Sequence, residues 1–199
     1  MRFRFVRPRV INFFEAGVYV TQNADDIAFV QQCRAGDAAA FGALVERYQR
    51  VLFTVAMRML GDYDEATDAA QNAFVKAYRR LDTFDEGQRF FSWLYRILLN
   101  ECLNAQRARR RLEPLLDTVA VDADPARGLE AVERRRAVQN AISALPYDLR
   151  VVIVLRHFGD LSYDEIADAA GTTAAIVKSR LHTARQKLGQ MLGDLRTKP

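Results

Sequence analysis

The stretch LSYDEIADAAGTTAAIVKSRL, residues 161–181, has the pattern of two helices joined by a tight turn. Ser162 stands three residues before Glu165, which is the spacing of a capping box at the start of a helix. Ala167 is small where a second helix must cross closely, and Gly171 follows four residues later at the position of the turn. This set of capping, small and turn residues predicts a helix-turn-helix.

The second helix of this motif has separate apolar and basic sides. Its apolar residues recur at spacings of three and four, which places them on one face: Val177, Leu181, Ala184 and Leu188. Lys178, His182 and Arg185 fall on another side, and residues 172–193 contain no acid. Because a solvated face usually mixes both signs of charge, the pattern favours DNA binding over a solvated basic face, which would look similar.

Helical periodicity continues through most of the 199-residue chain, from about residue 25 onward. No alternating strand pattern persists, so we expect an all-α fold. The run 151–155 has strand-forming residues, but its helical surroundings and short length favour a buried helix. Hydrophobic residues make up 50% of the chain, which is enough to bury sizeable cores.

An acidic stretch with two prolines divides the helical pattern. Pro114, Pro125 and Gly128 mark a linker between two small helical domains. The predicted organisation is an N-terminal extension (1–24), a first domain (25–111), an acidic linker (112–128) and a second domain (129–199). The extension is basic and aromatic; we expect an unstructured segment or a misassigned start, with a functional arm as the alternative.

The sequence contains no recognisable pattern of catalytic residues. Cys33 and Cys102 lack metal-like spacing and do not make a disulfide framework. His157 and His182 have no triad or ligand partners at a suitable spacing. We therefore predict no catalytic residue, no metal site and no cofactor. No run of about 18 apolar residues occurs, so we expect no membrane insertion and a cytoplasmic protein.

Two separate segments resemble conserved regions of bacterial sigma factors. ATDAAQNAFVKAYRRLDTF (66–84), followed by RFFSWLYRILLNECLNAQRARRR (89–111), is similar to their second region, and residues 144–188 resemble their fourth. The resemblance covers residues 25–192 and is closest to the compact extracytoplasmic-function group. It implies a non-enzymatic subunit that binds core RNA polymerase and directs it to promoter DNA. A stand-alone helix-turn-helix regulator and a protein-interaction module such as an anti-sigma decoy are the alternatives.

The helix after residue 89 carries two stripes. Phe90, Leu94, Ile97 and Leu98 are expected to face a core. The other stripe joins an aromatic, amides and guanidinium groups, which suits a minus-ten element where bases are held and phosphates gripped. The candidate residues are Arg89, Trp93, Arg96, Asn100, Asn104, Arg107, Arg110 and Arg111. Trp93 is equally compatible with a core position, and residues 107–111 with a solvated helix end.

The resemblance also assigns partner surfaces. It implies that Asp68, Gln71, Phe74 and Tyr78 bind the clamp of the largest polymerase subunit, although Phe74 and Tyr78 are equally compatible with the core. Residues 83–89 would form part of a base pocket and residues 145–161 would dock on the flap. The acidic linker would pass near the RNA path. The implied readers of the minus-thirty-five element are Thr173, Lys178, Ser179, Arg180, His182 and Arg185.

This sequence departs from the family pattern at two places. Thr67 and Asn72 stand where acids are common, so we hypothesise that phosphorylation of Thr67 by a Ser/Thr kinase restores the charge. Neutral drift offset by neighbouring acids is the alternative. In the second domain, Ala175 and Ile176 stand where Gly-Thr is common, and Thr183 replaces a frequent Arg. The preferred promoter therefore cannot be copied from relatives. An anti-sigma factor is a further possible partner.

Overall fold

The computed structural model describes residues 23–112 and 129–193. Within these ranges the chain is all-α, as predicted, and the 151–155 run lies in a helix. Its helices are α1 (Asn23–Arg34), α2 (Ala40–Leu60), α3 (Tyr63–Arg79), α4 (Phe90–Leu112), α5 (Leu129–Ala144), α6 (Tyr147–Phe158), α7 (Tyr163–Ala170) and α8 (Ala174–Gly193), with one 3-10 turn at Leu81–Thr83. The predicted N-terminal extension and acidic linker fall almost wholly outside the described residues.

Helices α1 to α4 form the first lobe, built around the apolar face of α2. The apolar residues of α2 recur at helical spacing and are buried from Phe41 through Leu52 to Met59, with Val45 half-buried. Gly61 ends the helix in the left-handed conformation (φ 77°), and its N–H donates to the Met57 carbonyl at 2.9 Å. This turn requires glycine because a side chain there would be strained.

Asp25 and Asp26 are of a residue type that often caps a helix. Helix α1 begins at Asn23, however, so both lie inside its first turn. The buried Asp26 carboxylate instead accepts hydrogen bonds from Arg47 and Tyr48 of α2, each at 2.5 Å. Burial raises the pKa of Asp26 despite these bonds. Asp26 is therefore a packing residue that joins α1 to α2.

Helices α5 to α8 form the second lobe and contain the predicted helix-turn-helix. Ser162 and Glu165 make the expected capping box at the start of α7. Gly171 ends α7 in the left-handed conformation (φ 63°), and α8 begins three residues later. Val177, Leu181 and Ala184 are buried and Leu188 is half-buried, so α8 packs on its own lobe through the predicted stripe.

The two lobes pack against each other. Arg150 of α6, only 8% exposed, donates to the Met59 carbonyl of α2 at 2.8 Å, as well as to the Ser143 and Leu145 carbonyls of its own lobe. Carbonyls at the C-terminal end of a helix lack intrahelical partners and attract positive charge. Arg150 thus supplies the end of α2 with a donor from the other lobe.

Candidate DNA and polymerase interfaces

Helix α4 presents its predicted polar stripe to the surface. Phe90, Leu94, Ile97 and Leu98 are buried, which confirms the predicted core side. Of the eight candidates of the first lobe, seven are exposed and Trp93 is half-buried. The basic C-terminal turn also stabilises the helix itself, because cations near a helix C-terminus interact favourably with its dipole.

Trp93 is partly in the core and partly at the surface, and so fits both roles considered for it, packing and DNA contact. Its ring centroid lies 5.3 Å from that of Phe84 and 5.8 Å from that of Phe90, so it belongs to an aromatic cluster at the edge of the core. It nevertheless stays half-exposed. The adjoining segment turns at Asp85, whose carboxylate accepts the Gly87 N–H at 2.9 Å. The cluster therefore fixes the segment before α4 and leaves part of the indole accessible for stacking.

Two arginines of the α4 stripe contact the second lobe. Arg89 forms an ion pair with Glu165 of α7. Arg96 donates to the main-chain carbonyl of Asp168, near the end of α7. Sequence reasoning missed both contacts, since 76 and 72 positions separate the partners and no local pattern links them.

A cleft of about 300 Å³ lies between the lobes beside these contacts. Arg96 and Asn100 line it from α4, and Gly171 and Arg180 line it from the helix-turn-helix. Candidate DNA-binding residues of both lobes therefore face one another across a single cleft. A cleft of this volume is too small to hold a DNA duplex.

The second-lobe candidates differ in how accessible they are. Thr173, Lys178, Ser179, His182 and Arg185 are exposed. Arg180 is only partly exposed, and its guanidinium donates to Asp148 of α6 at 2.8 Å. The structure thus gives Arg180 a contact within its own lobe that the sequence pattern did not indicate.

The surface predicted for the polymerase clamp lies on α3. Asp68, Gln71 and Tyr78 are exposed, whereas Phe74 is 5% exposed and packs edge-on against Phe41. Burial thus places Phe74 in the core, the alternative considered for it. Sequence reasoning overlooked Val75, which is 37% exposed; its spacing of four from Gln71 was the available signal.

Thr67 lies one turn from the start of α3 and is half-buried. Its hydroxyl donates to the Tyr63 carbonyl at 2.8 Å. The neighbouring carboxyl of Glu65 lies 3.5 Å from Arg109 of α4, and burial raises the pKa of Glu65. Asp64 is exposed. The two acids near Thr67 therefore differ in accessibility: Glu65 is paired with Arg109 of α4, whereas Asp64 faces solvent.

The segment 145–161, predicted to dock on the flap, is largely interior. Residues 150–155 are buried, and its exposed members are Pro146, Asp148, His157 and Asp160. Burial, together with Arg185 and Arg156, lowers the pKa of His157. A partner can reach only the two ends of this segment.

The described residues hold no group of histidines, cysteines or acids arranged to bind a metal ion. Among the same residues, none of the helices has the length and apolar character needed to cross a membrane.

Comparison with known proteins gives matches to both lobes. Residues 44–112 match the family model of sigma-70 region 2, and residues 135–188 match that of sigma-70 region 4. The chain is 36% identical to the RNA polymerase sigma-H factor of Pseudomonas aeruginosa, over 88% of this chain and 97% of that protein. It is 34% identical to the ECF RNA polymerase sigma-E factor of Escherichia coli K12, over 88% and 98%. Among solved structures, that of CnrH in complex with the cytosolic domain of CnrY is similar, with a TM-score of 0.69 and 29% identity over 85% of this chain and 98% of that one.

Proposed function

The chain belongs to the extracytoplasmic-function group of the sigma-70 family, and from this premise we propose which of its surfaces carry out promoter recognition. A sigma factor is a non-catalytic subunit that directs core RNA polymerase to promoters and assists their opening. The main support for the proposal is that region 2 and region 4 occupy separate lobes, each with an exposed basic helix face. The stand-alone regulator is not favoured, because both lobes match sigma regions.

Helix α4 is the proposed contact with the minus-ten element. Arg107, Arg110 and Arg111 are exposed at its C-terminal end, where guanidinium groups can grip phosphates. Asn104 and Asn100 supply amide donors and acceptors one and two turns before Arg107. The accessible part of Trp93 offers a stacking surface for an unpaired base. The order along the helix thus runs from base contact to backbone contact.

Helix α8 is the proposed reader of the minus-thirty-five element. The first turns of a recognition helix reach base edges in the major groove, and Thr173, Lys178, Ser179 and His182 are exposed there. Arg185 follows one turn later as a phosphate contact. We propose that Arg180 also contacts DNA, but only after its guanidinium has left Asp148.

Promoter contact through Arg89 and Arg96 requires the lobes to separate. Arg89 and Arg96 bind acceptors on α7 in the closed arrangement, so neither guanidinium is available to a phosphate at the same time. We propose that the closed arrangement is the resting form of the free chain and that a partner controls its opening. The similar chain CnrH is bound to the cytosolic domain of CnrY. An anti-sigma factor acting in the cytoplasm is the proposed partner, by analogy with the similar structure of the sigma factor RpoE in complex with the anti-sigma factor NepR from Bartonella quintana.

The exposed face of α3 is the proposed clamp contact. Asp68, Gln71 and Tyr78 provide polar groups and an aromatic edge, and Val75 adds apolar area at its centre. Phe74 supports this face from within the core.

Phosphorylation of Thr67 is the second proposed control. A phosphate would add about −1.5 to −2 charge on this helix, next to the clamp-binding face. It would also require the hydroxyl to leave the Tyr63 carbonyl. Polymerase affinity should therefore follow the order phosphorylated chain, Thr67→Asp, then wild type and Thr67→Ala. Equal affinity for all four in a binding titration contradicts the proposal.

Transcription in vitro with purified core polymerase tests the function itself. Core enzyme with this chain should initiate at a promoter subset that core enzyme alone does not use. In a binding-site selection, Lys178→Ala and His182→Ala should change the preferred upstream sequence. Arg110→Ala should instead lower all affinities and reduce the salt slope by about one. A chain that binds duplex DNA tightly without polymerase, and does not support initiation, would be a stand-alone regulator.

A further inference from the structure

Ile176 is an exposed aliphatic residue in the first turn of α8. With 43% exposure, it is the most exposed large hydrophobic side chain among the described residues. A single exposed apolar side chain on a protein surface needs no explanation. Ile176, however, directly precedes the fully buried Val177, which anchors the proposed reading helix. Its backbone is also fixed, because its N–H donates to the Thr173 hydroxyl at 3.4 Å.

Two residues lie one turn along α8 from Ile176. Ser179 is small and uncharged, whereas Arg180 is partly exposed and its guanidinium donates to Asp148 of α6 at 2.8 Å. Positions 176, 179 and 183 follow a spacing of three and four, so Ser179 and Thr183 lie along the same strip. Ala175 and Ser179 are exposed beside it. Lys178 and Arg185 lie on the opposite margin of the exposed surface. The exposed surface of α8 therefore has Lys178 and Arg185 on one margin and an apolar strip headed by Ile176 on the other, where the nearby Arg180 is held by Asp148.

The major groove offers one apolar feature for such a margin to contact. Base edges there present donors and acceptors, except for the C5-methyl group of thymine. An isoleucine side chain has no hydrogen-bonding group, so it gains binding energy only by covering apolar surface. We propose that Ile176 is a specificity-determining residue that contacts the C5-methyl of a thymine in the upstream promoter element. This inference rests on the proposed entry of α8 into the major groove.

Removal of single methyl groups from the DNA tests this contact. Each thymine of the selected upstream element is replaced in turn by deoxyuridine, and affinity is measured for polymerase carrying the full chain. At one position the wild-type complex should lose affinity by about fourfold, the factor for burying one methyl-sized group. The Ile176→Ala complex should bind thymine DNA with a similar loss and should show no further loss on deoxyuridine at that position. Ile176→Val should retain part of the response.

Met191 provides a matched control on the same helix. It is 36% exposed but lies at the far end of α8, so Met191→Ala should respond to deoxyuridine as wild type does. If Ile176→Ala binds more weakly than wild type by the same factor on thymine DNA and on deoxyuridine DNA, Ile176 makes a polymerase or backbone contact and the proposal is overturned. No loss of affinity on thymine DNA would also overturn it. If Lys178→Ala and His182→Ala leave the upstream preference unchanged, it is the reading role of α8 that fails.

Discussion

Replacing Gln139 with methionine should open the two lobes without unfolding either. Gln139 of α5 accepts a hydrogen bond from the Arg58 guanidinium at 2.8 Å and donates to the Arg58 carbonyl at 3.2 Å. Arg58 also stacks on Phe158, with its guanidinium carbon 4.7 Å from the ring centroid. Burial, with a smaller contribution from Arg135, lowers the pKa of Arg58 to about 10. The pair therefore holds a partly desolvated cation at the lobe interface.

The two hydrogen bonds of Gln139 set the expected change in the free energy of lobe opening. A hydrogen bond from a charged donor contributes about 1.5–3 kcal/mol and a neutral one about 0.5–1.5 kcal/mol. Because water replaces both bonds once the lobes part, we take the lower ends of the two ranges, which gives about 2 kcal/mol. That free energy corresponds to a shift of about 30-fold from closed towards open. Methionine is unbranched and close to glutamine in volume, so the change falls mainly on the polar contacts.

Two measurements on the isolated chain check this shift. X-ray scattering should show a larger radius of gyration for Gln139→Met. Its affinity for a single-stranded minus-ten oligonucleotide should rise by up to about 30-fold, because a rarely populated competent state lowers apparent affinity in proportion. Asn140→Met, an exposed position next along α5, is the control and should change neither value. Unchanged scattering and affinity for Gln139→Met would refute the idea that this pair holds the lobes together.

The other predictions concern the stability of the folded chain. Gly171→Ala should lower the free energy of unfolding by about 1–2 kcal/mol, because its left-handed backbone disfavours a Cβ although space is open around it. Gly42→Ala, inside α2 and also in open space, should raise the free energy of unfolding by up to about 1 kcal/mol. Thermal melts of both variants check these values. Burial raises the pKa of Asp26 from its usual 3.8, so the folded chain holds this proton to higher pH than the unfolded chain does. Its contribution to stability should therefore decline as pH rises from 3.8 through the folded value, and Asp26→Asn should flatten that part of a urea-derived stability profile. A steeper decline in the Asn variant would contradict this sign.

The helix-turn-helix could be predicted because its determinants are local. Ser162 and Glu165 are three residues apart, and Gly171 is required by a single turn. The buried side of α4 was equally accessible, since helical spacing alone separates Leu94 and Leu98 from the polar stripe.

The contacts between the lobes were not accessible in this way. Arg150 reads as a surface cation within a hydrophobic run, yet it is buried because its donors meet main-chain carbonyls of both lobes. Main-chain acceptors carry no sequence signature. Asp26 illustrates the same limit, because its hydrogen-bond partners lie 21 and 22 residues away on another helix.

The carboxylate of Glu165 has two partners at once. One oxygen accepts the Ser162 N–H at 2.7 Å and so holds the start of α7, while the other accepts from Arg89 of the first lobe. Any substitution that removes this carboxylate removes both the cap at the start of α7 and the ion pair between the lobes. If the closed arrangement is the resting form, as proposed, promoter selectivity and resting-state activity are not independent traits at this position. Selection, or an engineer seeking an orthogonal regulator, can adjust one of them there only with a compensating change elsewhere.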